Sequence, residues 1–169
     1  EGSIGLSVVL GGCGVELEEM TALFSAFAND GKFYRPHFLQ SDTLNAPVQL
    51  MTPAAAYMTA DILSQVNRPE LPTDVASSAM HIPKIAWKTG TSYGRRDAWS
   101  IGFNSDYTIG VWLGNFSGEG VPELTGAEMA TPLLFELFNT IDYNSAKSRM
   151  VPPEDLDFRL LCSESGMLP

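Results

Sequence analysis

Apolar side chains recur at helical spacing between Leu17 and Asn29, at Leu17, Met20, Leu23, Phe24, Phe27 and Ala28. That period lines one face of a helix. Glu16, Glu18 and Glu19 crowd its first turn, where the helix dipole favours negative charge, and Asn29-Asp30-Gly31 supplies a stop. Lys32 to Leu39 then reads as a short extended segment broken by Pro36. Thr52-Pro53, a capping residue before a first-turn proline, predicts a second helix running to about Val66. Its expected buried face is Tyr57, Met58, Ile62 and Val66. Asn67 to Pro83, with three prolines among Ser, Thr and Asp, predicts a loop.

The pattern then changes to runs of aromatic and β-branched residues. Ile82–Thr91, Ala98–Phe103 and Tyr107–Asn115 predict three strands, the last two joined by Asn104-Ser105-Asp106 as a hairpin. Short connections make all three an expected meander. Trp87, Trp99 and Trp112 fall one per strand and are expected in the core, Trp112 most clearly. A last helix is predicted over about Gly126–Ile141, with Met129, Leu133, Leu134, Leu137 and Phe138 on one face. Pro132 either starts its main body or kinks it. Helices, an antiparallel sheet and a closing helix give the α+β class. Beyond Asn144 the chain is polar and proline-containing, and reads as a linker leading elsewhere.

Composition narrows the classes of function. At 169 residues and 44% hydrophobic, the chain suits one globular domain or a large part of one. The longest apolar stretch, Ile4 to Val15, is too short for a membrane span and holds four glycines. A net charge of −10 argues against nucleic-acid or anionic-lipid binding. Two cysteines, Cys13 and Cys162, make no disulfide framework, and His37 and His81 give no metal-ligand spacing. No metal and no cofactor is expected. Cys13 is expected to be a small buried hydrophobe; its pairing with Cys162 is the less favoured alternative.

Within this acidic chain, residues 81–100 hold Lys84, Lys88, Arg95 and Arg96 against Asp97 alone. Such a basic island attracts a small anion, although charge alone describes a solvated strand equally well. Lys88-Thr89-Gly90-Thr91 sharpens the choice. Lys88 can hold a carboxylate or favour loss of a neighbouring proton. Thr89 and Thr91 add neutral hydroxyl donors, and Gly90 leaves room for a ligand lying beside the strand. The Thr91 N–H is then free to face a reacting carbonyl as an oxyanion donor.

The chain resembles the transpeptidase domain of class A penicillin-binding proteins along nearly its whole length, in order. The matching stretches are Leu6–Val15, Phe27–Gly31, Lys88–Trp99, Gly110–Asn115 and Leu161–Gly166. Gly11-Gly12-Cys13-Gly14 and the late Cys-Ser-Glu-Ser-Gly point to the 1C-like branch of that family. The Lys-Thr-Gly element accompanies Ser-x-x-Lys and Ser-x-Asn in such enzymes. The resemblance implies part of the β-lactamase/transpeptidase-like fold and a serine D,D-transpeptidase that cross-links peptidoglycan. A serine would attack the D-Ala-D-Ala bond of a stem peptide, an amine would resolve the acyl-enzyme, and β-lactams would acylate the same serine. Carried over, Lys88 assists proton traffic and orients the carboxylate, Thr89 and Thr91 bind it beside Gly90, and the Thr91 N–H completes the oxyanion hole. Asp97-Ala98-Trp99 shapes the site rather than reacting.

One departure limits the resemblance. No Ser here has Lys three positions on, and none has Asn two positions on. The nucleophile is therefore expected upstream of Glu1. Residues 1–143 read as the C-terminal part of a transpeptidase domain, 144–169 as a linker, and the chain alone as inactive. Its expected partners are the stem peptide, β-lactams and the upstream half of the same protein, and exposed strand edges could drive self-association. The family places the parent on the periplasmic face of the inner membrane, anchored outside this chain. A β-lactamase, a D,D-carboxypeptidase and a non-catalytic sensing or scaffolding domain remain the alternatives.

Overall fold

A computed structural model describes residues 5–39, 45–65, 84–142, 150–154, 156–157 and 159–168. An exposed 3-10 turn, Leu6–Leu10, precedes α1 (Leu17–Ala28). Asp30 and Gly31 both adopt positive φ after α1, and the Gly31 N–H donates to the Ala26 carbonyl at 2.8 Å. A Cβ at Gly31 would stand 2.2 Å from the Met51 carbonyl, so this stop demands glycine. Of the expected extended segment only Lys32–Phe33 (β1) is strand. It pairs antiparallel with Val48–Gln49 (β2), a partner too short to leave a period in the sequence.

Helix α2 spans Pro53–Ser64, and the Thr52 hydroxyl accepts from the Ala55 N–H as the capping pattern requires. Its buried face differs from expectation. Ala56 and Ala60 are buried, Tyr57 is half-buried, and Met58 and Ile62 are exposed. Alanines let the helix axis approach closely, so Ala60 meets Ala86 and Phe103, with Phe24, Phe27 and Leu63 packed around them. Val66 and the Asn67–Pro83 loop lie outside the described residues.

The meander forms as expected, with β3 (Ala86–Thr91), β4 (Asp97–Phe103) and β5 (Thr108–Gly114) in the order β3-β4-β5. Alternation sorts its two faces. Gly110 faces Thr21 and Leu17 of α1, whereas Val111 joins Ile85, Trp87 and Ala98 beneath the closing helix. At the β4–β5 turn the Asn104 side chain accepts from the Asp106 and Tyr107 N–H groups. Its Nδ2 donates to Asp142 at 2.6 Å, tying the turn to the end of that helix.

The closing segment opens with a π-helical turn, Gly126–Ala130, capped by Thr125, and continues as α3, Thr131–Asp142. Pro132, the second residue of α3, thus lies at the start of the main body, directly after the π turn. The buried face is Thr131, Leu134, Phe135 and Phe138; Met129, Leu133 and Leu137 are exposed. Both faces carry apolar residues at helical spacing, so the period alone does not choose between them. Trp87 packs edge-on against Phe135 with ring centres 5.3 Å apart. Trp112, the tryptophan most clearly expected in the core, is only half-buried. Met150 returns to pack against the Phe103 cluster, and no helix or strand follows it among the described residues. No helix among them is long and apolar enough to cross a membrane.

Candidate active site

Strand β3 pairs with β4 on one side only among the described residues. The Ser92 N–H donates to the Asp97 carbonyl at 3.0 Å, which fixes the phase of that ladder. Gly90 and Lys88 therefore turn their peptide groups toward β4, while Trp87, Thr89 and Thr91 turn theirs to the free edge. The Thr91 N–H is one of these outward groups. Lys88 Nζ donates to the outward carbonyl of Thr89 at 2.8 Å, holding a cation against the edge.

Lys88, Thr89, Gly90 and Thr91 all line a cavity of about 570 Å³. Its far wall is the Val8–Val15 segment, and Phe24, Asp97, Trp99 and Ile101 complete it. Lys88 and Gly90 lie on the sheet face shared with Ile101 and Trp99, their register partners. The side chains of Thr89 and Thr91 fall on the opposite side of the strand, toward Gly126. A ligand along the edge would thus meet the ammonium from one side and the hydroxyls from the other. A Cβ at Gly90 would touch Trp99 Cβ at an ordinary 3.5 Å, so the molecule itself leaves this position room.

Beneath Thr91 runs a chain of hydrogen bonds that the sequence pattern did not reveal. Thr91 Oγ1 accepts from the Gly126 N–H at 3.0 Å, and Thr131 Oγ1 donates to the Gly126 carbonyl at 2.8 Å. Thr131 in turn meets Ser100 Oγ at 3.1 Å, both residues being fully buried. A Cβ at Gly126 would lie 2.4 Å from the Trp99 carbonyl and 2.6 Å from that of Gly90. Glycine alone lets the π turn rest on the strand pair. Thr91 keeps its own O–H to donate.

The basic island spreads out in space. Lys84 precedes β3, and Arg95 and Arg96 sit exposed in the β3–β4 turn, leaving Lys88 the cation within the cavity. In that turn Ser92 Oγ accepts from the Arg96 and Asp97 N–H groups, and Arg95 holds a left-handed φ of 52°. Asp97 Oδ1 accepts from Trp112 Nε1 at 3.0 Å. Trp99 belongs to the cavity wall rather than the core, and its ring centre lies 6.4 Å from that of Trp112.

Cys13 is exposed on the cavity wall rather than buried, because no element among the described residues packs over the glycine-flanked segment carrying it. Both thiols are free. Hydrogen bonds from the Ser165 hydroxyl, then from the Ser165 and Glu164 amides, lower the Cys162 thiol to a pKa of about 7. His81 lies outside the described residues. Among the described residues no group of three His, Cys, Asp or Glu could hold a metal ion.

The fold and site together form an α+β scaffold that presents a cation, hydroxyls and outward amides along one strand edge. The penicillin binding protein transpeptidase domain model matches residues 4–114, and the chain belongs to that family. Penicillin-binding protein 1C of Escherichia coli K12 is 38% identical over 162 residues, covering 95% of this chain and 20% of the relative. Penicillin-binding protein 1A/1B of Bacillus subtilis 168 is 28% identical over 158 residues, covering 80% and 17%. The chain therefore spans about a fifth of the length of these curated relatives. The crystal structure of penicillin-binding protein 1A from Haemophilus influenzae superposes with a TM-score of 0.72 at 13% identity, over 96% of this chain and 32% of that one. That likeness establishes a penicillin-binding-protein fold, as expected.

Proposed function

We propose that this chain is the C-terminal part of a serine D,D-transpeptidase domain within a longer, membrane-anchored periplasmic protein that cross-links peptidoglycan. The observation that carries the reading is Lys88–Thr91 on a strand edge with no partner strand among the described residues, the Thr91 N–H turned outward over an open cavity. The donor peptide lies along β3 as an added strand, its terminal carboxylate between Lys88 and the hydroxyls of Thr89 and Thr91. Gly90 leaves that path clear. A serine upstream of residue 1 attacks the carbonyl of the penultimate D-Ala. The Thr91 N–H stabilises the oxyanion, the C–N bond breaks, and terminal D-Ala leaves with the serine's proton. The amine of a second peptide then attacks the ester, forming the new amide and returning a proton to the serine oxygen. β-Lactams take the donor's place.

On this reading the upstream half of the protein pairs along β5 and covers the Leu6–Leu10 turn, whose Leu6 and Leu10 are 91% and 92% exposed. The chain alone does not turn over, and residues 144–169 form a linker to a further domain. The test is the acylation rate of the longer protein by penicillin. Lys88→Ala is expected to slow it by about 10²-fold or more, the scale of losing one charge-stabilising donor. An unchanged rate would remove Lys88 from the site.

A further inference from the structure

Two fully buried hydroxyls, those of Ser100 and Thr131, meet where the closing helix packs on the sheet. The core beside them is apolar, with Ala98, Ala130 and Leu134 in one cluster. A hydroxyl is costly to bury unless it is hydrogen-bonded, and an apolar pair of the same shape carries no such cost. The pair is fully hydrogen-bonded, and its bonds run in one direction.

The count of hydrogens sets that direction. The Gly126 carbonyl can only accept, so it takes the single hydrogen of Thr131 Oγ1 at 2.8 Å. Ser100 Oγ therefore donates to Thr131 Oγ1, at 3.1 Å. The Thr131 N–H reaches the same Gly126 carbonyl and closes the π turn. Thr131 thus holds Gly126 with both its amide and its hydroxyl. Gly126, so held, delivers its own N–H to Thr91 Oγ1 at 3.0 Å.

That bond decides what Thr91 can offer a ligand. With the Gly126 N–H occupying Oγ1 from behind, the hydroxyl hydrogen points away from Gly126, to the exposed strand edge. The Thr89 hydroxyl has no such partner among the described residues and can donate or accept. We propose that Thr131 is a positioning residue that acts through Gly126 to keep the Thr91 hydroxyl a donor, so that the site selects a terminal carboxylate over a terminal carboxamide. A carboxylate only accepts, whereas a carboxamide also presents N–H groups to a hydroxyl that has its acceptor side filled. The role rests on the transpeptidase reading for its ligand, and Ser100 supports Thr131 from beneath.

The test uses the longer protein and two matched pairs of compounds. Acylation rates are compared for benzylpenicillin and the same molecule with its carboxylate made a carboxamide. Binding is compared for acetyl-D-Ala-D-Ala and its C-terminal amide. Thr131→Val is expected to narrow the acid-to-amide preference by about fivefold in each pair, the scale of one neutral hydrogen bond. Thr131→Ser should restore the preference, and Thr131→Val added to Thr91→Val should narrow it no further. A merely loosened core would weaken both members of a pair together and leave their ratio alone. If Thr131→Val does not fold, Ser100→Ala takes its place, with the ratio expected to fall in the same direction. An unchanged ratio, no rescue by serine, or an equal fall in the Thr91→Val background would each overturn the positioning role. A penicillin adduct with unchanged ratios overturns that role alone. Binding ratios that narrow as expected, with no adduct on the unsubstituted protein, overturn the transpeptidase reading alone.

Discussion

Thr91 carries two roles, a proposed one in its amide and a structural one in its hydroxyl. The amide is turned outward by the phase of the β3–β4 ladder, and the hydroxyl receives the Gly126 N–H at 3.0 Å. Sequence reasoning proposed the first role through the Lys-Thr-Gly-Thr pattern. It missed the second because Gly126 lies 35 positions away and carries no side chain to mark it. Cys162 makes a separate case at this scale. Its thiol, lowered from 9.0 to about 7 chiefly by the Ser165 hydroxyl, is exposed. The thiolate is the reactive form, so alkylation by iodoacetamide is expected to rise through a midpoint near pH 7. Ser165→Ala should move that midpoint upward, toward 9.0. Site-resolved mass spectrometry across pH reads both; a midpoint unmoved by the substitution would remove Ser165 as the cause.

At the scale of elements, the π turn and α3 hold the site strand from behind. Gly126→Ala would drive a Cβ into the Trp99 and Gly90 carbonyls, which cannot yield without moving both strands. The expected cost is about 1–3 kcal/mol, read by urea unfolding. Gly14→Ala, which meets nothing within 4 Å and has no positive φ, should stay within about 0.5 kcal/mol. Equal stabilities for the two variants would contradict the packing described. Element type and order were legible in the sequence because period and turn chemistry are local: α1, α2, the meander and the closing helix all fall within a few residues of expectation. Their buried faces were less legible. Met58 and Ile62 look like core in α2, yet the smaller Ala56 and Ala60 are buried because the neighbour is a strand at close range. In α3 the buried set, Thr131, Leu134, Phe135 and Phe138, keeps the helical period, and apolar residues on the neighbouring Leu133–Leu137 face left the period alone unable to choose between the two.

For the whole molecule, the open feature is the sheet's outer edge. Strand β5 pairs only with β4 among the described residues, and its seven residues, Thr108–Gly114, include no charge and no proline. Such an edge lacks the usual protection against pairing. The Asn104 N–H bond to the Tyr107 carbonyl sets the β4–β5 phase and turns the Thr108 N–H outward. The isolated chain is therefore expected to dimerise with rising concentration, and Thr108→Pro to lower the dimer fraction without breaking the β4 ladder. Sedimentation equilibrium decides this; a chain that stays monomeric at high concentration would show the edge to be silent. The same openness explains why the site was only half legible. Lys88–Thr91 announced itself by motif, but the cavity wall at Val8–Val15 and Trp99 is assembled from distant segments that share no pattern.

Intact-mass analysis after penicillin treatment bears most directly on the assignment, comparing this chain alone with the same chain joined to the protein segment that precedes it. A stoichiometric adduct on an upstream serine of the longer protein, and none on this chain alone, is the expected result. An adduct on this chain alone would put the nucleophile among its own residues, and no adduct on either would make Lys88–Thr91 part of a site that does not acylate.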